Sequence, residues 1–289
     1  MIDFAEFIAR SAELSTQLPA PHKVTEHQTE GLYLRVYEPE QPCTQLLVVY
    51  HGGGASSTGY EVLARQHTLS GQTAVCLVDI RGHGRSCGVR GSADSPKQIW
   101  RDVDTVLAYL RELFPQLTIR LLGHSSGAGM LLNYCTRHTP QHPISHLTLL
   151  APEFGPFAPP QLRKNARNDF ATAKVWPFVI NAMSGGLLLG NYYAITLHYP
   201  AAVIAQTPDI VSRYNVNMAN ALTPRHPAKQ LAALNLPTSV LIAEQDELFD
   251  AEEMVRFVEG CRSHTLKSKE IENTGHLSCI LKNSFISCL

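Results

Sequence analysis

Gly123-His124-Ser125-Ser126-Gly127 sets a serine between two glycines, directly after the apolar run Thr118–Leu122 and directly before a helical stretch, Ala128 to His138. A serine hydroxyl is a poor nucleophile until a neighbouring base takes its proton. A sharp strand-to-helix turn holds such a serine exposed above a sheet, with the first amides of the helix facing a developing oxyanion. Ser125 is therefore the candidate nucleophile, and the Ser126 amide a candidate oxyanion donor. The pentapeptide alone is a weak signal, and three further features strengthen it.

Ser125 needs a base within hydrogen-bond reach and an acid to fix the tautomer of that base. In folds with this elbow the chain order is Ser, acid, His. Asp246 follows the apolar run Thr238–Ala243 and is the expected acid, with Asp250 as the reserve; Glu244 and Glu247 read as loop acids. His276 is the expected base. Among 13 histidines it alone falls after the last expected strand and before a final helix, with Gly275 allowing a tight turn. The oxyanion needs a second amide. His51-Gly52-Gly53-Gly54 follows the run Gln45–Tyr50 and supplies one, with Gly53 the expected donor. A plain glycine-rich turn is the alternative there. A phosphate loop is excluded, because no Gly-Lys-Ser/Thr follows.

The elements that must position these groups are legible as patterns. Residues 2–18 carry a helical apolar stripe. Lys23–Thr29 and Leu32–Glu38 alternate around Glu30-Gly31 and suggest an antiparallel hairpin. Gln45–Tyr50, Thr73–Ile80, Thr118–Leu122, His146–Leu150 and Thr238–Ala243 are short apolar runs, as parallel strands covered on both faces produce. Pro96–Phe114 is the clearest amphipathic helix between them. Lys267–Glu272 supplies a last strand and Leu277–Leu289 a closing helix. Hairpin first and βα repeats afterwards imply an α/β doubly wound sheet. Roughly 80 residues separate the strands at 146–150 and 238, far more than a crossover needs. Glu153–Leu231 is therefore expected to form a helical cap, with residues 1–152 and 232–289 as the core; two crossover helices with long loops are the alternative.

The 289 residues are 44% hydrophobic and 17% charged, enough for a substantial core, and a net charge of −1 offers nucleic acid no basic footprint. No apolar run reaches the length of a membrane span, and the first residues do not read as a signal peptide. Seven scattered cysteines without C-x-x-C fit free thiols and a cytoplasmic setting.

Two longer motifs carry a family resemblance. His51, Gly52, Gly54, Ser57 and Tyr60 match H-G-x-G-x-x-S-x-x-Y, and Asp79, Arg81, Gly82, His83, Gly84 and Ser86 match D-x-R-G-H-G-x-S. The chain resembles the α/β-hydrolases of the monoacylglycerol lipase and lysophospholipase group over about residues 30–152 and 235–280, weakly if at all in the cap. It departs from that group at Ala128, where a second glycine is usual, and at Ala55-Ser56, where its lipases often carry Glu-His. The resemblance implies a mostly parallel eight-stranded sheet flanked by helices. It also implies Ser125, Asp246 and His276 as a catalytic triad, the amides of Gly53 and Ser126 as the oxyanion hole, and Asp79 to Ser86 as scaffold. The expected substrate is a small-molecule acyl ester, of monoacylglycerol or lysophospholipid type, cleaved through an acyl-enzyme without cofactor or metal. No nucleic acid or stable membrane insertion is expected, and a homodimer is left open. Aminopeptidase, thioesterase and acyltransferase activity, or a non-catalytic ligand-binding role, remain alternatives. Leu187–Leu189, Tyr192, Tyr193, Ile195, Trp176 and Phe178 are expected either to line an acyl pocket or to pack the cap.

Overall fold

A computed structural model describes residues 2–69, 71–164, 170–261 and 263–282. In chain order, helix α1 (Phe4–Gln17) leads into the hairpin β1 (Lys23–Thr29) and β2 (Leu32–Glu38). The alternation then runs β3 (Gln45–Tyr50), α2 (Glu61–Thr68), β4 (Thr73–Val78), α3 (Pro96–Leu113), β5 (Thr118–His124), α4 (Ser126–Arg137) and β6 (His146–Leu150). The long intervening segment holds β7 (Ala171–Ala173), α5 (Val175–Met183), β8 (Tyr193–Leu197), α6 (Ala201–Gln206), β9 (Arg213–Asn215), α7 (Val216–Leu222) and α8 (Pro227–Ala232). The chain returns with β10 (Thr238–Ala243), α9 (Ala251–Gly260) and β11 (Leu266–Ile271).

One eight-stranded sheet has the order β1-β2-β4-β3-β5-β6-β10-β11. β1 and β2 pair antiparallel, as do β2 and β4, and the other neighbours are parallel. Both faces are covered, which is why the strands read as unbroken apolar runs. Leu46 and Val48 of β3 join the core under α3, α4 and α9, with Ile99, Val103 and Met130. Leu47 and Val49 join the opposite layer with Val62 and Leu63 of α2 and with Ile280. Helix α3 starts where Ser95 accepts the Gln98 amide and Pro96 takes the first turn. The expected closing helix is a single 3-10 turn, Ser278–Leu281, within the described chain, and residues 283–289 lie outside it.

The segment 153–231 is not built of helices alone. β7, β8 and β9 form a three-stranded antiparallel sheet. At its C-terminal end, α7 lies against α3 and α4. Trp100 Nε1 and Asn133 Nδ2 both donate to the Ala221 carbonyl oxygen, at 3.1 and 3.0 Å. Of the apolar side chains expected to line a pocket or pack the cap, Trp176, Leu187 and Leu188 face solvent, Trp176 51% and Leu187 87% exposed, while Phe178, Leu189, Tyr192, Tyr193 and Ile195 are half-buried, Ile195 against the core. The cause is local. In the short α5 the buried side is Pro177 and Asn181, and Asn181 donates to the Leu188 carbonyl oxygen at 2.7 Å, leaving Val175, Val179 and Met183 on the outer side.

Candidate active site

The site lies beyond the carboxyl ends of the central parallel strands, where open α/β sheets gather their ligands. β5 runs through His124, and Ser125 turns the chain into α4 with φ 53°. For a residue with a side chain this left-handed backbone is uncommon and costs of order 1–3 kcal/mol. The surrounding contacts enforce it: the Ser125 amide donates to the Leu150 carbonyl at 2.9 Å, and the Ser125 carbonyl accepts the amides of Ala128 and Glu153. Glycines flank the serine because no side chain fits. A Cβ on Gly123 would come within 2.5 Å of the Gly127 carbonyl oxygen, and one on Gly127 within 2.5 Å of that of His51.

Three residues remote in sequence meet here. His276 Nε2 stands 2.9 Å from Ser125 Oγ, and His276 Nδ1 stands 2.8 Å from Asp246 Oδ2. Asp246 and His276 are each 2% exposed, while Ser125 is half-buried and reachable. The other oxygen of Asp246 accepts the amides of Leu248 and Phe249 at 2.8 and 3.1 Å, so both ends of the carboxylate are held. Burial opposes charge on His276, but Asp246, by its charge and hydrogen bond, outweighs it, with Glu247 and Glu153 adding; the imidazole titrates above its ordinary range. The reserve acid, Asp250, caps α9 by accepting the Glu253 amide. Glu247 accepts the His276 amide at 2.7 Å and Glu244 the Asn273 amide at 2.6 Å.

Gly53 and Ser126 are also brought side by side. A Cβ placed on Gly53 would lie 3.4 Å from Ser126 Oγ, with Leu197 and Tyr214 beyond. In the glycine loop the Gly52 amide donates to Tyr60, the Gly54 amide to Tyr214 and the Ala55 amide to the Gly52 carbonyl. Among the described residues the amides of Gly53 and Ser126 have no such acceptor. Sequence reasoning named only the Ser126 amide. Its hydroxyl, too, is shielded from solvent with no hydrogen-bond partner among the described residues.

Of the support under the loop, that reasoning expected Asp79 to Ser86 as scaffold and named no role for His51, Tyr60, His124 or Tyr214. Three histidines, one from each motif, are buried and neutral. His51 Nδ1 donates to the Gly52 carbonyl at 2.9 Å, while its Nε2 accepts the Ile80 amide at 3.1 Å. His124 Nε2 donates to the His276 carbonyl at 2.9 Å, and its Nδ1 accepts from the Tyr60 hydroxyl at 2.7 Å. The His83 ring lies tilted beside that of His51, centroids 5.0 Å apart, and reaches Tyr214. Burial first, then the charge on His276, pushes His124 down to about 3; burial and His51 push His83 down to about 3. Asp79 accepts the amides of Ser57 and Arg85 at 2.6 and 2.8 Å, tying one motif to the other. The signal for Tyr60, His51 and His83 was in the motifs themselves; for Tyr214 there was none.

The sheet order, the serine at the strand–helix turn and the histidine beyond the last strand define an α/β-hydrolase. The chain belongs to the hydrolase family described as serine aminopeptidase S33, whose model matches residues 41–279. It is 26% identical to monoglyceride lipase of Mus musculus over 265 residues, covering 89% of this chain and 83% of that protein. It is 34% identical over 114 residues to protein phosphatase methylesterase 1 of Candida albicans (strain SC5314 / ATCC MYA-2876), a match covering 39% of this chain and only 31% of the relative. A soluble variant of monoglyceride lipase from Saccharomyces cerevisiae, solved with a substrate analog, shares the fold at TM-score 0.68 and 14% identity, over 93% of this chain and 96% of that one. No helix among the described residues is long and apolar enough to cross a membrane.

Proposed function

We propose that this protein is a serine hydrolase that cleaves carboxylic esters, of monoacylglycerol or lysophospholipid type, through an acyl-enzyme. The observation that carries the reading is the continuous hydrogen-bond line from Ser125 Oγ through His276 to Asp246. His276, kept in one tautomer by Asp246, takes the Ser125 proton as the oxygen attacks the ester carbonyl. The amides of Gly53 and Ser126 receive the negative oxygen. His276 returns the proton to the departing alcohol, and water activated by the same imidazole releases the acid. Both nucleophile and base are side chains, so the scheme draws on no cofactor or metal. Residues 153–231 act as a cap over this site. Phe249, its ring 5.6 Å from that of His276, supplies an apolar wall that keeps bulk water from the base. The ester reading also draws on the monoglyceride lipases and the methylesterase among the relatives.

The family description supports a second reading, aminopeptidase activity. An α-ammonium group would need an uncommitted carboxylate beside Ser125. Glu153 is already held by Arg163 at 3.0 Å and by the Gly155 amide, and Glu247 by the His276 amide. The Arg163 guanidinium meets the charge of Glu153, which favours esters over a cationic amine. Turnover of p-nitrophenyl esters of increasing chain length, set against aminoacyl anilides, tests the choice, with fluorophosphonate labelling of Ser125 as the control. Ester turnover lost by several orders of magnitude in Ser125→Ala is the expected result; near wild-type turnover in that variant, or anilides preferred to every ester, refutes it.

A further inference from the structure

The Gly53–Gly54 peptide is held from both sides by tyrosines that arrive from the long segment after β6. The Gly53 carbonyl oxygen accepts from the Tyr199 hydroxyl, and the Gly54 amide donates to the Tyr214 oxygen. A third bond, from the Val211 amide to the Gly54 carbonyl at 2.9 Å, lies between them. Each tyrosine is itself fixed. Tyr214 is 4% exposed, and its hydroxyl stands 2.8 Å from His83 Nε2. His83 Nδ1 faces the Arg81 carbonyl at 3.1 Å, which only accepts, so Nδ1 carries the proton and Nε2 receives the hydrogen of Tyr214. The half-buried Tyr199 ring packs against Phe4 of α1, with centroids 5.2 Å apart, and against Phe170.

Three consecutive glycines have no Cβ to bias their dihedrals, so hydrogen bonds alone decide where each peptide of this loop points. On the core side Tyr60 and His51 fix Gly52. On the far side Tyr199, Tyr214 and Val211 fix Gly53 and Gly54 among the described residues. The Gly53 amide belongs to the Gly52–Gly53 peptide, whose carbonyl accepts from His51 Nδ1 and from the Ala55 amide, while the tyrosines hold the next peptide on the other side of the Gly53 Cα.

We propose that Tyr199 and Tyr214 are positioning residues for the oxyanion donor: by holding the Gly53–Gly54 peptide they complete the aim of the Gly53 amide into the site that His51 and Ala55 begin from the core side. The inference rests on the hydrolase reading above, with Gly53 as donor. Tyr199→Phe and Tyr214→Phe each remove one oxygen and keep the ring. On a p-nitrophenyl ester, kcat is expected to fall about ten- to hundredfold in each, with KM within about twofold of wild type. Affinity for a trifluoromethyl ketone, whose adduct carries the same oxyanion, falls by the same factor as kcat. Unchanged kcat in both variants, or a loss carried wholly by KM, overturns the proposal. Should Tyr214→Phe fail to fold, the half-buried Tyr199→Phe decides alone. A wild-type chain that fluorophosphonate does not label at Ser125 refutes the hydrolase reading; a labelled wild type with unimpaired variants refutes the positioning role alone.

Discussion

His124 Nε2 donates to the carbonyl oxygen of His276 at 2.9 Å, so the residue before the candidate nucleophile holds the backbone of the candidate base. Its other nitrogen accepts from Tyr60, which accepts the Gly52 amide. One neutral imidazole thus ties the elbow, the loop after β11 and the glycine loop together. In His124→Ala the Tyr60 hydroxyl loses its acceptor in the interior, and the His276 carbonyl is left with the Cys279 thiol alone. At a cost of about 1–3 kcal/mol for the unsatisfied buried hydroxyl, the variant is expected to lose stability in urea unfolding. Ester turnover falls with it. Unchanged stability would refute this role.

In the proposed mechanism the raised pKa of His276 sets the acid limb of activity. The imidazole must be neutral to accept the Ser125 proton, so kcat/KM rises with pH through one ionisation above about 6.5, the ordinary histidine value. Asp246→Asn removes the charge that opposes burial. The residual activity, lower by orders of magnitude, then shows its acid limb at lower pH than wild type. A pH profile of both proteins checks the sign; a limb that moves upward contradicts it.

Acid unfolding begins earlier than carboxylates alone dictate. His83 and His124 bind a proton only near pH 3 when folded, but near about 6.5 when unfolded. Between these values the unfolded chain holds more protons, so stability falls as pH falls, by about 1.4 kcal/mol per pH unit for each histidine. Urea midpoints from pH 7 to pH 5 measure it, and His83→Gln reduces the slope.

Arg81 meets Asp102 through two hydrogen bonds of 2.7 Å, both side chains largely buried. Burial raises the Asp102 pKa while Arg81 pulls it down. Arg81→Met leaves a buried carboxylate unpaired and is expected to cost about 3–5 kcal/mol at pH 7. Because that carboxyl can then take a proton, the deficit narrows toward pH 5. A constant deficit would count against the pairing.

Several elements were legible because one local rule decides them. β3, β6 and β10 have the bounds their apolar runs indicate, since both faces of the sheet are dry. Ser125 and His276 stood out because glycine spacing and place after the last strand are properties of a few neighbouring residues. The three-stranded sheet in the segment 153–231 was not legible: β7 and β9 have three residues each, too short for any period. The outward Trp176 and Leu187 have the same letters as core residues, and only the buried Asn181 decides which side of α5 turns in. Tyr199 and Tyr214 touch the glycine loop across separations of 146 and 160 residues, which no window of sequence reports.

The hydrogen bonds between β5, β6 and α4 that force the serine into its left-handed turn involve backbone atoms only. The bonds that hold the turn are therefore indifferent to what side chain stands there. An alanine, cysteine or aspartate in that position inherits the same contorted backbone, which makes the elbow a socket into which other nucleophiles can be installed without rebuilding its walls.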